Sequence, residues 1–137
     1  MNFEIKIKES LGDIRFGMTI DAVESAMCRA DEVEHIENAA DEPTTVLHYN
    51  ELGITLFFEG EPQLLACIDI ANEECTLFGK EVFYLDEREL VKLMVANDFT
   101  EQDVDQEDWG DRRVSFPQGN IDFYFSEGEM TSIIMGA

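Results

Sequence analysis

An internal repeat constrains this chain more than any other feature. Residues 83–99, FYLDERELVKLMVANDF, carry the strongest helical pattern. Asp86 is an N-cap, and Glu89 three residues on completes a capping box. Leu90, Leu93 and Met94 follow at helical spacing, Val91 widens the stripe, and Asn97 is a stop. The same pattern occurs 67 residues earlier: Phe83 falls on Phe16, Asp86 on Thr19, Leu90 on Val23 and Met94 on Met27. That shift also carries Ile121, Phe123, Tyr124 and Phe125 onto Ile54, Leu56, Phe57 and Phe58. Glu129-Met130 falls on Gln63-Leu64 at a shift of 66, so one residue is lost in the preceding turn. The spacing predicts one domain over residues 1–137, with repeats at about 13–70 and 79–135. The expected fold is α+β, two repeated helix-plus-three-strand units forming one antiparallel sheet with the helices on one face.

The strands read as follows. Phe3, Ile5 and Ile7 alternate with charged residues. In residues 44–49, Val46 and His48 fall on one face and Leu47 and Tyr49 on the other. Residues 54–58 are apolar enough for a central strand. In the next strand Leu64, Ala66, Ile68 and Ile70 share a face. Residues 71–80 join the copies, with Leu77 and Phe78 expected to pack. In the second copy, residues 112–116, 121–126 and 130–135 are strands.

Two acidic stretches occupy equivalent places after the helices. Residues 31–43, DEVEHIENAADEP, read as a loop, or a short irregular helix ending in one. Residues 100–111, TEQDVDQEDWGD, are the second stretch, and they hold the only tryptophan, Trp109. A tryptophan ringed by polar groups suits a binding hot spot, and equally suits an anchor for a long loop. Counted from Asp103, an EF-hand would need Gly at position six and an acid at position twelve, where Asp108 and Val114 stand. No metal or cofactor is expected. Nor is catalysis, since His35 and His48 have no neighbouring nucleophile and no phosphate-loop or hydrolase motif is present.

Charge narrows the class of partner. Nine Lys and Arg against 31 Asp and Glu give a net charge of −22 over 137 residues. Such a surface repels nucleic acid and anionic membranes and speeds encounter with basic proteins. Solubility alone also accounts for an acidic surface. Cys28, Cys67 and Cys75 form no metal motif, and their odd number fits a reducing compartment. The N-terminal residues do not resemble a signal peptide or lipoprotein leader, and no apolar run approaches the roughly 18 residues of a membrane span. The expected location is the cytoplasm.

The segments IRFGMTIDAVESAM, GITLFFEG and QLLACIDI resemble the helix-plus-meander unit of the β-lactamase-inhibitor-protein and BamE-like folds. The second half has Tyr84-Leu85 where that pattern has Gly-Met. The resemblance implies a binding module. By type, an acidic version is similar to the immunity proteins of bacterial polymorphic-toxin and contact-dependent growth inhibition systems, which bind a cognate toxin domain, often a basic nuclease. The expected function is to bind and neutralise a basic toxin domain. The expected contacts are Glu34, Glu37, Asp41, Asp103, Asp105, Glu107 and Asp108 as the acidic rim, with Trp109 as the apolar anchor. The alternatives are a structural or adaptor subunit of an oligomer and, further off, a metal binder or small enzyme. Oligomeric state is left open.

Overall fold

The computed structural model describes residues 2–37, 43–107 and 110–137. The chain opens with β1 (Glu4–Lys6), β2 (Ser10–Leu11) and β3 (Ile14–Arg15). Gly17, at φ +89°, turns the backbone there, and its N–H donates to the Leu65 carbonyl at 3.0 Å. Helix α1 (Ile20–Ala26) starts at Thr19, whose hydroxyl accepts from the Ala22 N–H at 3.2 Å. Four strands follow: β4 (Glu32–Ile36), β5 (Thr44–Tyr49), β6 (Ile54–Glu59) and β7 (Leu64–Ile70). The hairpin β8 (Thr76–Leu77) and β9 (Lys80–Glu81) leads through a 3-10 turn at Val82–Tyr84 into α2 (Glu87–Ala96). The α2 capping box is closed both ways, with Glu89 N–H donating to Asp86 at 2.8 Å and Asp86 N–H to Glu89 at 3.2 Å. Four more strands complete the chain: β10 (Asp103–Gln106), β11 (Asp111–Phe116), β12 (Ile121–Ser126) and β13 (Glu129–Gly136).

The strands form two sheets. The larger has eight strands in the order β10-β11-β12-β13-β7-β6-β5-β4, antiparallel throughout. The smaller has five, in the order β3-β2-β1-β8-β9, with β1 and β8 parallel. Leu47, Leu56, Ile68, Met135, Ile121 and Phe116 point to one side of the large sheet. There they meet Val23 of α1, Leu90 and Met94 of α2, and Ile5, Leu11 and Leu77 of the small sheet in one apolar cluster. Phe58, Phe116 and Phe123 are fully buried in it, each contributing about 1.5–3 kcal/mol. Phe116 and Phe123 pack edge to face with centroids 5.8 Å apart.

This architecture corrects the expected fold. The chain is mostly β, with thirteen strands and two α-helices among the described residues. Each half gives four strands to the large sheet, not three, and a second sheet is present. The additional strands are β4 and β10, inside the acidic stretches read as loops. Both are exposed along their whole length, so no apolar alternation marks them, and ladder pairing with β5 and β11 holds them in place. The small sheet forms because the N-terminal strand pairs with its own hairpin and with the connector after β7.

The face of β7 is also corrected. A bulge at Phe57/Phe58 shifts the register, so Phe58 opposes Leu65 while Phe57 opposes Cys67. Leu65, Ile68 and Ile70 therefore face the core, and Leu64 is 36% exposed. An equivalent bulge lies at Tyr124/Phe125, 67 residues on. Leu77 is buried, whereas Phe78 is 39% exposed and leans on Phe99 with ring centroids 6.2 Å apart.

Candidate functional site

The second face of the large sheet carries no helix and no strand among the described residues. Ladder register lines its side chains up in rows. One row crosses all eight strands: Glu32, His48, Thr55, Asp69, Ile134, Asp122, Ser115 and Asp103. Beside it run Glu34, Val46, Phe57 and Cys67 in one half, and Asp105, Arg113, Tyr124 and Ser132 in the other. The middle of this face is half-buried and mixes Phe57, Cys67, Ile134 and Tyr124 with Asp69 and Asp122, and its ends are acidic and exposed. Val46 is only 1% exposed although it stands outside the core cluster.

Asp69 and Asp122 flank Ile134 from its two sides. Two strand spacings separate them, about 9–10 Å at the backbone. Neither has a hydrogen-bond or ion-pair partner among the described residues. Burial raises the Asp69 pKa. The Cys67 thiol is pushed up to about 11, by burial first and then by Asp69, Glu59 and Asp122. Tyr124 is also raised, by burial first and then by Asp122, with Arg113 opposing. Negative charge and desolvation thus meet at the centre of the face, and among the described residues neither Asp69 nor Asp122 forms an ion pair, Arg113 standing opposite Tyr124.

The ends differ. Glu34 Oε1 lies 3.1 Å from His48 Nε2, and His35 Nδ1 lies 3.4 Å from the Thr45 hydroxyl. At the other end Arg113 contacts Asp105 and stands 3.8 Å from Asp103. Its Nε is buried without a hydrogen-bond partner among the described residues. Neighbouring Arg112, on the core side, ties β11 to the first turn of α2 through both carboxylate oxygens of Glu87, the Nη2 contact being 3.1 Å.

Of the residues named from sequence, Glu34, Asp103 and Asp105 lie on the uncovered face at its opposite ends. Glu37 and Glu107 are exposed just beyond β4 and β10. Asp41, Asp108 and Trp109 lie outside the described residues. The two acidic stretches are not brought together, since β4 and β10 are the far edges of one sheet. Sequence reasoning passed over Asp69 and Asp122. The signal for Asp69 was a single acid inside the otherwise apolar run LLACIDI.

Among the described residues no group of three or more His, Cys, Asp or Glu could hold a metal ion. A depression of about 360 Å³ at the start of α2 is lined by Asp86, Glu87, Gln106 and Arg112, all of them already hydrogen-bonded to one another or to the backbone. No helix among the described residues is long and apolar enough to cross a membrane. Compared with known proteins, the chain matches no family model, no curated protein and no solved structure.

Proposed function

We propose that this chain is an acidic protein-binding module that receives a basic protein on the uncovered face of its large sheet. By type it sits with bacterial immunity proteins that neutralise a toxin domain, and the cytoplasm, where its three free cysteines stay reduced, is its compartment. The observation that carries the reading is the Asp69–Ile134–Asp122 row, two half-buried carboxylates held beside apolar side chains with no ion pair among the described residues. An Arg or Lys head laid over Ile134 meets negative charge from both sides in a desolvated setting. The exposed acids at the sheet ends then steer encounter and hold the rim.

Such an arrangement opposes folding. Asp69 has a raised pKa when folded, so its cost is absent below the ordinary aspartate range and complete above the raised value. Asp69→Asn is therefore expected to raise Tm at neutral pH, with the gain disappearing in acid. The binding test immobilises the wild-type protein and the Asp69→Asn/Asp122→Asn variant and challenges both with native lysate at low and high salt. The expected result is a basic protein that wild type retains at low salt and releases at high salt, and that the double variant loses. Equal retention by both proteins moves the interface off this face, and retention of no basic protein overturns the reading.

The half-buried apolar side chains Phe57 and Ile134 favour one second reading, an oligomer subunit that buries this face against its copy. At a net charge of −22 that pairing sets like charges against each other, and a monomer by sedimentation removes it.

A further inference from the structure

Among the described residues no strand pairs with the outer edge of β4, the last strand of the large sheet, and β4 pairs only with β5. Its register is unbroken over five residues, from Glu32 opposite His48 to Ile36 opposite Thr44. All five are exposed, with Val33 at 53% and Ile36 at 39%. Edges of natural sheets are commonly blunted by charged side chains, proline or a bulge, and of these EVEHI has only the charges of Glu32 and Glu34. It is therefore a straight template for one more strand, guarded only by negative charge that a basic strand would match.

Charge selects the occupant. Glu32 and Glu34 alternate on one side of the strand, and Val33 and His35 on the other. Among the described residues Glu32 and Glu34 share one histidine, His48, which lies opposite Glu32 in the ladder and contacts Glu34, and neither pairs with Lys or Arg. At the opposite edge Asp103 and Asp105 are already held by Arg113. A second copy of the chain is a poor occupant: antiparallel pairing centred on Glu34 sets Glu34 against Glu34, which is destabilising. An incoming strand with Lys or Arg at alternate positions meets Glu32 and Glu34, and its intervening apolar residues meet Val33.

We infer that the outer edge of β4 takes an extended basic segment of the partner protein as a ninth strand of the sheet. The inference rests on the reading of a basic protein partner, and uses a surface different from the face that carries that reading. Backbone pairing fixes the register and orientation of the partner, while the acidic face supplies the charge complement.

The experiment uses the full chain and an eight-residue peptide of alternating Lys and Val, followed by amide NMR at low salt. Alternate amides within residues 32–36 should change from fast to slow hydrogen exchange as the peptide is added. The same peptide N-methylated along its backbone keeps its charge and cannot pair, and it should bind at least about tenfold more weakly, the equivalent of about 1.4 kcal/mol. Glu32→Gln/Glu34→Gln should weaken the unmodified peptide several-fold. Equal binding of the N-methylated peptide, with shifts at Asp69 and Tyr124, overturns strand addition and leaves the basic-partner reading standing. Protection at β10 instead of β4 overturns the choice of edge. Failure of both peptides to bind overturns this inference and removes support from the basic-partner reading as well.

Discussion

At the β4 end of the large sheet, Glu32 and Glu34 face solvent beside His48. At the β10 end, Asp103 and Asp105 close on Arg113. The positions beneath them correspond at the repeat shift of 67: Leu47 to Val114, His48 to Ser115, Val46 to Arg113. The core-facing position stays apolar in both halves, and both are fully buried. The position on the uncovered face changes from valine to arginine. Packing therefore preserves the side of the sheet where the helices lie, while the side over which the described residues place no helix or strand has diverged in charge. Among the described residues that divergence leaves one end as an acidic edge with no strong cation and the other as an edge whose two aspartates share one arginine.

The largest effect is expected from the shared support. Leu47→Ala should cost about 2–5 kcal/mol, read as a lower denaturation midpoint at constant slope. Global unfolding would show that the ends share one core. If only β4 and β5 lose amide protection while the midpoint holds, the ends are independent and the comparison concerns two separate units. A smaller effect comes from making the C-terminal end like its counterpart. Arg113→Val places the residue of the first half in the second and leaves Asp103 and Asp105 without their cation. Faster amide exchange along β10 is expected, by roughly two- to fivefold, from the loss of about 0.5–1 kcal/mol. Exchange at the wild-type rate would mean that the ladder alone holds β10. The smallest effect belongs to Glu34→Gln, which removes the charge beside His48 and should change stability by no more than about 0.5 kcal/mol. A larger loss of stability would show that the β4 end is stapled after all.

Much of the scaffold was legible, for physical reasons that differ from element to element. Asp86 and Glu89 announce a helix because the capping box is local chemistry, complete within four residues. The repeat shift places residues 44–49 and 54–59 on 111–116 and 121–126, which are the observed strand bounds. The edges were not legible. EVEHI and DVDQ bury neither face, so the alternation that identifies a strand is missing, and only a neighbouring ladder reveals them. Nor was the bulge at Phe57/Phe58, which turns Leu65 inward where even alternation points to Leu64 and Ala66. Because register fixes the face, that one-residue slip exchanges Leu64 and Leu65 and leaves Asp69 on the side opposite Ile68 and Ile70.

The seam between the halves has a consequence for synthesis. β13 lies between β12 and β7, paired from Ile133 opposite Ile70 to Gly136 opposite Cys67. A growing chain makes β7 long before residues 129–136 leave the ribosome. Over that interval β7 is an open border, with Ile68 and Ile70 standing beside backbone groups that have no partner strand. Nascent chains paused within the second half should therefore be the species that chaperones hold longest and that aggregates most readily recruit, and arrival of β13 ends the exposure in one step.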